Sequence, residues 1–523
     1  MRTASGRNAA CSTRVNRPRR LLPPPQASIA PAGSHTFDPT ARVAVPVFLN
    51  QIKESCVRTD RRDLSWLPLR HLILGMLLIC APTSTSAQQP TAAPPAQTPT
   101  QAQSAPAPKP PVPNRLNNVL PAWIRVRGEF RERAEGFKSL GFVPDRDDSY
   151  LLTRFRLNAT VQPTPMVGFT VQAQDARVAN KSVGPTIAPF RDQFDLRMAY
   201  ADVGTAKSPV AVRVGRQELV YGDQRLLGHV SWTNAARTFD AAKVMLRGKA
   251  FSLDVFGSSV VNVRDTAFNK STFDASQFYG AYGIASKLVP KGSVEPYIFY
   301  RVGADQRTEL GALGDLKAST IGVRWVGTLP AGLDYNTEMA FQTGSLGSDD
   351  VSAWAGHWAL RDMLTKKYSV RVLGEFNYAS GDAVPGDGIR GTFDQLYPTG
   401  HDKYGLSDQV GWKNIRHLRG GLELTPRKGL VVSGSYHSSW LAESRDALYN
   451  AGGAVLARIA TGAPDSHVGQ ELDAQAMFTL SPQIQVGGGY AHIMPGAFLK
   501  QATPGASYSA PYVMVTYVFL ADK

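Results

Sequence analysis

From about residue 117 to its end, the chain alternates apolar and polar residues in segments of about 8–12, separated by Gly, Pro, Asp and Asn clusters. In Glu471–Leu480, Glu471, Asp473, Gln475 and Thr479 share one face, and Leu472, Ala474, Ala476, Phe478 and Leu480 share the other. In Leu333–Gln342, Asp334, Asn336, Glu338 and Gln342 oppose Leu333, Tyr335, Met339 and Phe341. In Tyr368–Ala379, Arg371, Glu375 and Asn377 oppose Val370, Val372, Phe376 and Tyr378. The first segment sets Arg125, Arg127, Glu129, Arg131 and Arg133 against Ile124, Val126 and Phe130. A period of two means successive side chains point to opposite faces, so these segments are predicted strands. A soluble sandwich would alternate in the same way. Three features select a membrane barrel instead. The rhythm continues for about 400 residues with no convincing helix. Aromatics recur near predicted strand ends (Tyr150, Tyr200, Tyr300, Trp325, Tyr436, Trp440, Tyr490), where an interfacial girdle would sit. The chain nearly ends in a strand with aromatics at both ends, Tyr512–Phe519. At about 22 residues per strand and connection, the expectation is an all-β fold. It is a single transmembrane antiparallel β-barrel of about 18 strands over residues 117–523, wide enough for an aqueous lumen.

Hydropathy agrees with that choice. Hydrophobic residues are 43% and mean hydropathy is −0.19, and no run reaches the ~20 apolar residues of a membrane-spanning helix. The longest apolar run, Leu72–Cys80, follows the basic residues Arg58, Arg61, Arg62, Arg70 and His71 and precedes Thr85-Ser86-Ala87. That is the layout of a secretory signal with cleavage after Ala87. Residues 1–87 are therefore read as an N-terminal extension and signal peptide. Initiation near Val57 or Leu64 would give a signal of ordinary length. Residues 88–116, rich in Pro, Ala and Gln, form a spacer that cannot bury a core. Cys11, Cys56 and Cys80 all lie before the cleavage point, so no disulfide or thiolate site is expected in the exported chain.

The net charge of +15 raises nucleic acid as a partner, but its distribution argues otherwise. Residues 1–87 hold 12 of the 57 Lys and Arg and 4 of the 42 Asp and Glu, so much of the excess leaves with the signal. In the barrel, if the apolar faces meet lipid, the opposite faces line the lumen. Arg125, Arg127, Arg131, Arg133, Arg154, Arg156, Arg197, Arg213, Arg301, Arg324, Arg371 and Arg419 would then project inward. Guanidinium is permanently charged and forks onto carboxylates, so such a lining lowers the barrier for an anion. Glu129, Glu132, Asp195, Glu338, Glu375 and Glu423 are available to pair with some of these groups. The run Val212–Ala241, carrying Arg216, Glu218, Asp223, Arg225, Arg237 and Asp240, is too long for a turn and is expected to fold inward. The acidic run containing Asp382, Asp387, Asp394, His401, Asp402 and Asp408 lacks calcium-loop spacing and reads as a long structured loop. There is no HExxH, P-loop or complete GxSxG, and the nine histidines show no zinc spacing. His437 and His492 read as polar groups lining the lumen. Neither catalysis nor a cofactor nor a metal is expected.

Several runs resemble the alginate-export family of outer-membrane barrels. They include RVRGEFRERAE, FDLRMAYADVG, VRVGRQELVYGDQRLLG with WTNAARTFDA, GEFNYASGD, and TFDQLYPTGHDKYGLSDQVGWKNIRHLRGGLEL. Toward the end come LAESRDALYNAGGAV, HVGQELDAQ and GGGYAHIMPGAFLKQATPG, so the resemblance covers nearly all of 117–523. It implies a monomeric barrel of about 18 strands in the outer membrane, with an electropositive constriction that passes the polyuronate alginate. Carried over residue by residue, the constriction falls on Arg127, Arg131, Arg216 and Arg225. The long N-terminus, the Pro-rich spacer and the residues after Phe519 depart from the family pattern. The expected partners are an anionic polysaccharide or small anionic solute, outer-membrane lipid, and periplasmic export partners on the spacer, with no nucleic acid. The alternatives are a diffusion porin for small carboxylates or sugars, an outer-membrane hydrolase, and a structural or adhesive barrel.

Overall fold

The computed structural model describes residues 116–520, apart from 265, 266, 309, 310 and 331. The predicted signal segment and almost all of the predicted spacer lie outside the described residues.

Among those residues, eighteen strands close into an antiparallel barrel. In chain order they begin with Ile124–Phe137, Asp148–Thr164, Val167–Ala179, Asp192–Val203, Val210–Gln217 and Phe239–Arg247. Next come Phe251–Asn262, Ser276–Ala285, Gly292–Arg307, Leu313–Thr328, Asp334–Leu346 and Asp349–Thr365. Val370–Ala379, Ile415–Arg427, Leu430–Leu441, His467–Thr479, Ile484–Pro495 and Tyr508–Phe519 complete the ring. Two further ladders of two residues each, Lys270–Ser271 and Ile389–Arg390, are added by connections. Each strand pairs with its sequence neighbour. The first pairs with the last from Gly128↔Phe519 to Glu135↔Tyr512, which leaves no open edge.

The side chains are inverted relative to a soluble protein. Along Asp148–Thr164, Phe155 and Leu157 are 39% and 37% exposed, while Arg154 and Arg156 are 3% and 7% exposed. Phe169, Ile298, Ile321, Phe341, Leu418 and Val513 continue the exposed apolar belt on other strands. An apolar outer surface of this extent needs lipid around it. Of the aromatics expected at the interface, Tyr300, Tyr436 and Tyr490 are exposed on the outside. Tyr150 is not: it shares the phase of Leu152 and Arg154, stacks on Phe137 and meets Phe190 edge-on inside the barrel.

The connections separate by length. One end carries short turns such as 165–166, 248–250 and 428–429, together with both ends of the described chain. The other carries the long connections, of which 218–238, 380–414 and 442–466 are the longest. In outer-membrane barrels the short turns are periplasmic and the long loops face outward.

One backbone position is unusually crowded. Gly215 has φ +125°, and a Cβ there would stand 2.3 Å from the Ala199 carbonyl oxygen and 2.8 Å from Tyr200 Cα. Neither neighbour is a side-chain tip that could swing away. Gly215→Val is expected to impose about 1–3 kcal/mol of strain and to lower the yield of heat-modifiable, folded barrel on semi-native gels. Unchanged yield and unfolding temperature would count against the close approach.

Candidate functional site

The three long loops do not stand off the barrel. They turn into the lumen and fasten to one another through main-chain groups. Tyr397 N–H donates to the Leu226 carbonyl (2.9 Å), and Gly228 N–H returns the bond to Tyr397 (2.9 Å). Thr399 N–H donates to Gln224 (2.9 Å). Gly411 N–H and Ala451 N–H tie the second loop to the third through the carbonyls of Tyr449 and Asp408. These bonds satisfy backbone groups that would otherwise be desolvated inside the barrel.

Apolar side chains bind the loops to the wall. Phe239, Phe256, Phe278, Phe299, Tyr282 and Tyr297 form a buried aromatic slab on the inner wall. Leu219, Leu226, Leu227 and Tyr397 of the loops pack onto it. The lumen face is therefore not uniformly polar, and alternation alone gave no sign of this. Large residues at lumen-phase positions, such as Phe256 and Phe278, were the available signal.

On the opposite wall, arginines hold the first inward loop by its carbonyls. Arg131 donates to Ser231, Trp232 and Thr233 (3.0, 3.1 and 3.4 Å). Arg154 donates to Ser231 and Thr233 (2.8 and 3.2 Å) and pairs with Glu129 at 2.6 Å. Arg133 donates to Trp232 (2.6 Å) and lies 3.7 Å above its ring, a cation–π contact. The other face of Trp232 stacks on His401 of the second loop at 3.8 Å.

The tip of the first loop is latched to a third part of the wall. Arg225 pairs with Glu375 at 3.0 Å and with Asp223 at 3.5 Å, and donates to the Tyr404 hydroxyl at 3.3 Å. Burial would pull this guanidinium down, but Glu375, Tyr404 and Asp223 hold it well above its usual range. Burial pushes the Asp223 carboxyl up, yet Lys403 and Arg225 outweigh it and hold it at about 2. Its share of the latch is therefore complete above its ordinary pKa of 3.8 and is lost only as pH falls through about 2.

Beside the latch runs a chain of buried polar groups, one from each of five successive strands. His357 Nδ1 donates to Asn377 Oδ1 (2.8 Å), and Asn377 Nδ2 donates to His417 Nδ1 (2.9 Å). His417 Nε2 meets His437 Nδ1 (2.9 Å), and His437 Nε2 lies 3.1 Å from Asp473. The directions agree when each imidazole donates at one nitrogen and accepts or stays free at the other. The chain ends on the second loop. Asp473 accepts from Leu406 N–H (3.0 Å), and Glu471 accepts from the Ser407 amide and hydroxyl (2.8 and 2.7 Å). His437 thus faces inward as expected, within a network whose spacing along the sequence is too irregular to read. Among the described residues no group of His, Cys, Asp and Glu is arranged to hold a metal.

Below the latch, toward the short-turn end, lies a cavity of about 1230 Å³. Arg225 and Lys403 cap it, and Arg324, Arg361, Arg371 and Arg419 line it beside Asp223, Glu375, Glu423 and Asp473. Arg371 pairs with Glu423 at 3.0 Å, and Arg419 approaches Glu375 at 3.8 Å.

The remaining sequence-derived positions fall as follows. Arg125 and Arg127 lie in lumen phase near the short-turn end. Arg125 donates to the Pro121 and Ile124 carbonyls, and Arg127 is exposed. Arg156 is buried on Gln174 (2.7 Å), and Arg197 is buried on Glu218 and Gln172. Arg213 forks onto Asp202 at 2.7 and 3.0 Å. Arg216 does not share the lumen phase. It shares the phase of Val210 and Val214, both 52% exposed, and forks onto Asp240 at the outer rim under Asn269.

A family model described as Alginate export matches residues 122–513. Among solved structures, the chain is similar to Pseudomonas aeruginosa OccK2 (OpdF), at TM-score 0.54 and 11% identity over 76% of this chain and 97% of that one. OccK2 in complex with glucuronate matches at 0.53 and 11% over 76% and 98%. Acinetobacter baumannii OccAB2 gives the same four figures. At such identities the likeness is one of fold. No curated protein matches the chain.

Proposed function

The chain belongs to the alginate-export family and is an outer-membrane β-barrel channel; on that premise we propose that it conducts an anionic polysaccharide, alginate-like in bearing carboxylates, along an arginine-rich lumen. The observation that carries the reading is the charge of the first two strands. Their lumen-phase positions between residues 125 and 160 hold Arg125, Arg127, Arg131, Arg133, Arg154 and Arg156 against Glu129, Glu135 and Asp148. Of these arginines, Arg125, Arg127, Arg131 and Arg156 form no ion pair with a carboxylate among the described residues. An excess of fixed guanidinium charge in a channel attracts carboxylates and repels cations. The proposed set is Arg125, Arg127, Arg371 and Arg419 as groups that meet the solute. Arg131, Arg154, Arg156, Arg197, Arg213 and Arg225 set the field and hold the loops. Arg216 leaves the set because of its outer position. The mechanism is passive: carboxylates exchange between cationic positions, and the loops set the width. No covalent step is involved.

The test is planar-bilayer recording of the purified channel. Anion-selective conductance blocked by polyuronate, with block weakened several-fold by Arg127→Ala, is the expected result. Cation-selective channels indifferent to polyuronate would overturn the reading.

A second reading, a diffusion channel for small carboxylates, is favoured by the three loops crowded into the lumen. It is also favoured by the structural neighbour solved with glucuronate. Block by monomeric glucuronate at concentrations where polyuronate has no effect would select it.

A further inference from the structure

Most cations inside this barrel are already engaged. Arg154, Arg197, Arg213, Arg225, Arg324 and Arg371 each lie within ion-pair distance of a carboxylate. A second cavity, of about 260 Å³, departs from this pattern. It lies at the long-loop mouth, between the wall strands ending at Arg307 and Leu346 and the second and third inward loops. Arg301, Arg307, Arg390 and Lys413 line it, and Asp394 is its one carboxylate.

That carboxylate is committed. Arg301 pairs with Asp394 directly. Burial pushes Asp394 up, but Arg301, Lys413 and Arg390 outweigh it and hold it at about 2. No carboxylate pairs with the other three cations among the described residues. Arg307 donates to the Gly311 carbonyl, Arg390 reaches the Arg307 carbonyl at a long 3.4 Å, and Lys413 lies 4.3 Å from the Tyr449 ring. Burial pulls the Lys413 ammonium down despite Asp394, and Arg390 adds to the effect. Cations gathered around one cavity at the mouth with a single committed carboxylate call for an anion.

We propose that this cavity is a binding subsite for one carboxylate-bearing sugar residue, held by Arg307, Arg390 and Lys413 at the outer mouth. The proposal rests on the reading of the lumen as a path for anionic glycans and adds a defined resting place to it. The volume, about 260 Å³, leaves room for more than a bare ion. A water needs about 10–15 Å³ of such space, and small-molecule pockets begin near 300 Å³. Guanidinium forks suit a carboxylate, and Lys413 adds a point charge. The Thr320 hydroxyl accepts from Gln342 at 3.0 Å and keeps its own hydrogen for a sugar oxygen.

The experiment is calorimetric titration of the full detergent-solubilised channel with glucuronate, glucose and inorganic phosphate. Variants are Arg390→Gln, Lys413→Gln, the exposed-site Arg307→Gln, and Lys428→Gln, in the exposed 428–429 turn at the opposite end, as control. Glucuronate is expected to bind, and each of the first three variants is expected to weaken it about tenfold, as loss of a charge-assisted pair would. Glucose should not bind, and Lys428→Gln should bind glucuronate as the parent does. Arg307→Gln, at an exposed position, keeps the test valid if a buried variant misfolds. Equal binding of glucose, glucuronate binding indifferent to all three substitutions, or phosphate binding without glucuronate would overturn the subsite. Retained glucuronate binding without polyuronate block would remove the conduit reading alone. Lost binding with block intact would remove the subsite alone.

Discussion

Arg225→Met is expected to release the first inward loop and give a larger, noisier conductance than the parent channel. The substitution leaves the Glu375 carboxylate buried without its closest cation, and Asp223 and Tyr404 lose the same partner. Removing one member of a buried pair costs about 3–5 kcal/mol, mostly because the other charge is left uncompensated. The cost falls on the contact between loop and wall, because Arg225 lies in the loop and Glu375 in a strand whose own ladder is intact. Protease cleavage within 218–238 should therefore rise while the heat-modifiable barrel band persists. The double variant Arg225→Met with Glu375→Gln should recover part of the loss, since no buried charge then stands alone. A quiet channel of parental conductance in Arg225→Met would show that the latch does not hold the loop.

The other large effect is expected at Phe278. This residue is fully buried and touches four aromatic rings. Those of Phe256, Phe299 and Phe239 belong to the wall, and that of Tyr397 meets it edge-on at 5.1 Å from the second loop. Phe278→Ala opens a cavity at the seam between wall and loop, and such truncations cost about 3–5 kcal/mol. The first thermal transition of the channel in micelles should drop, and conductance fluctuations should increase. Phe278→Leu should lose much less, because it keeps most of the apolar volume. If Phe278→Ala and Phe278→Leu behave alike, the slab does not carry loop stability.

Alternation made the barrel legible because the lipid face imposes apolar residues at every second position along every strand. Leu333–Gln342 and Tyr368–Ala379 were read with their faces correctly assigned: Glu338 and Gln342 are buried while Phe341 is 54% exposed. The lumen was harder to read. A side chain pointing inward meets whatever the loops bring to it, and those partners lie far off in sequence. Arg131 meets Ser231 and Trp232, and Arg225 meets Glu375. Period two fixes direction but not partner, so it could place Arg154 inside without showing that a loop carbonyl occupies it. Arg216 was placed on the lumen side because it falls in the run Val212–Ala241, which was expected to fold inward. The strand instead runs on to Gln217, in a phase that turns Arg216 outward. Tyr150 was placed in a girdle for lying near a strand end, but phase, not position along the strand, decides which medium a ring meets.

The fastenings of the first inward loop bear on the order in which the molecule can be completed. Its carbonyls are gripped by residues about a hundred positions earlier, and its tip by a glutamate 150 positions later. Contacts so distant along the chain form slowly, because the intervening polymer must be ordered before they yield any return. The early half of the ring can offer its arginines while the strand carrying Glu375 is still unassembled. The loop can reach its final seat only after that strand is in place. Seating of the loop thus follows placement of the strand that carries Glu375, and the width of the opening is set only once that part of the wall is present.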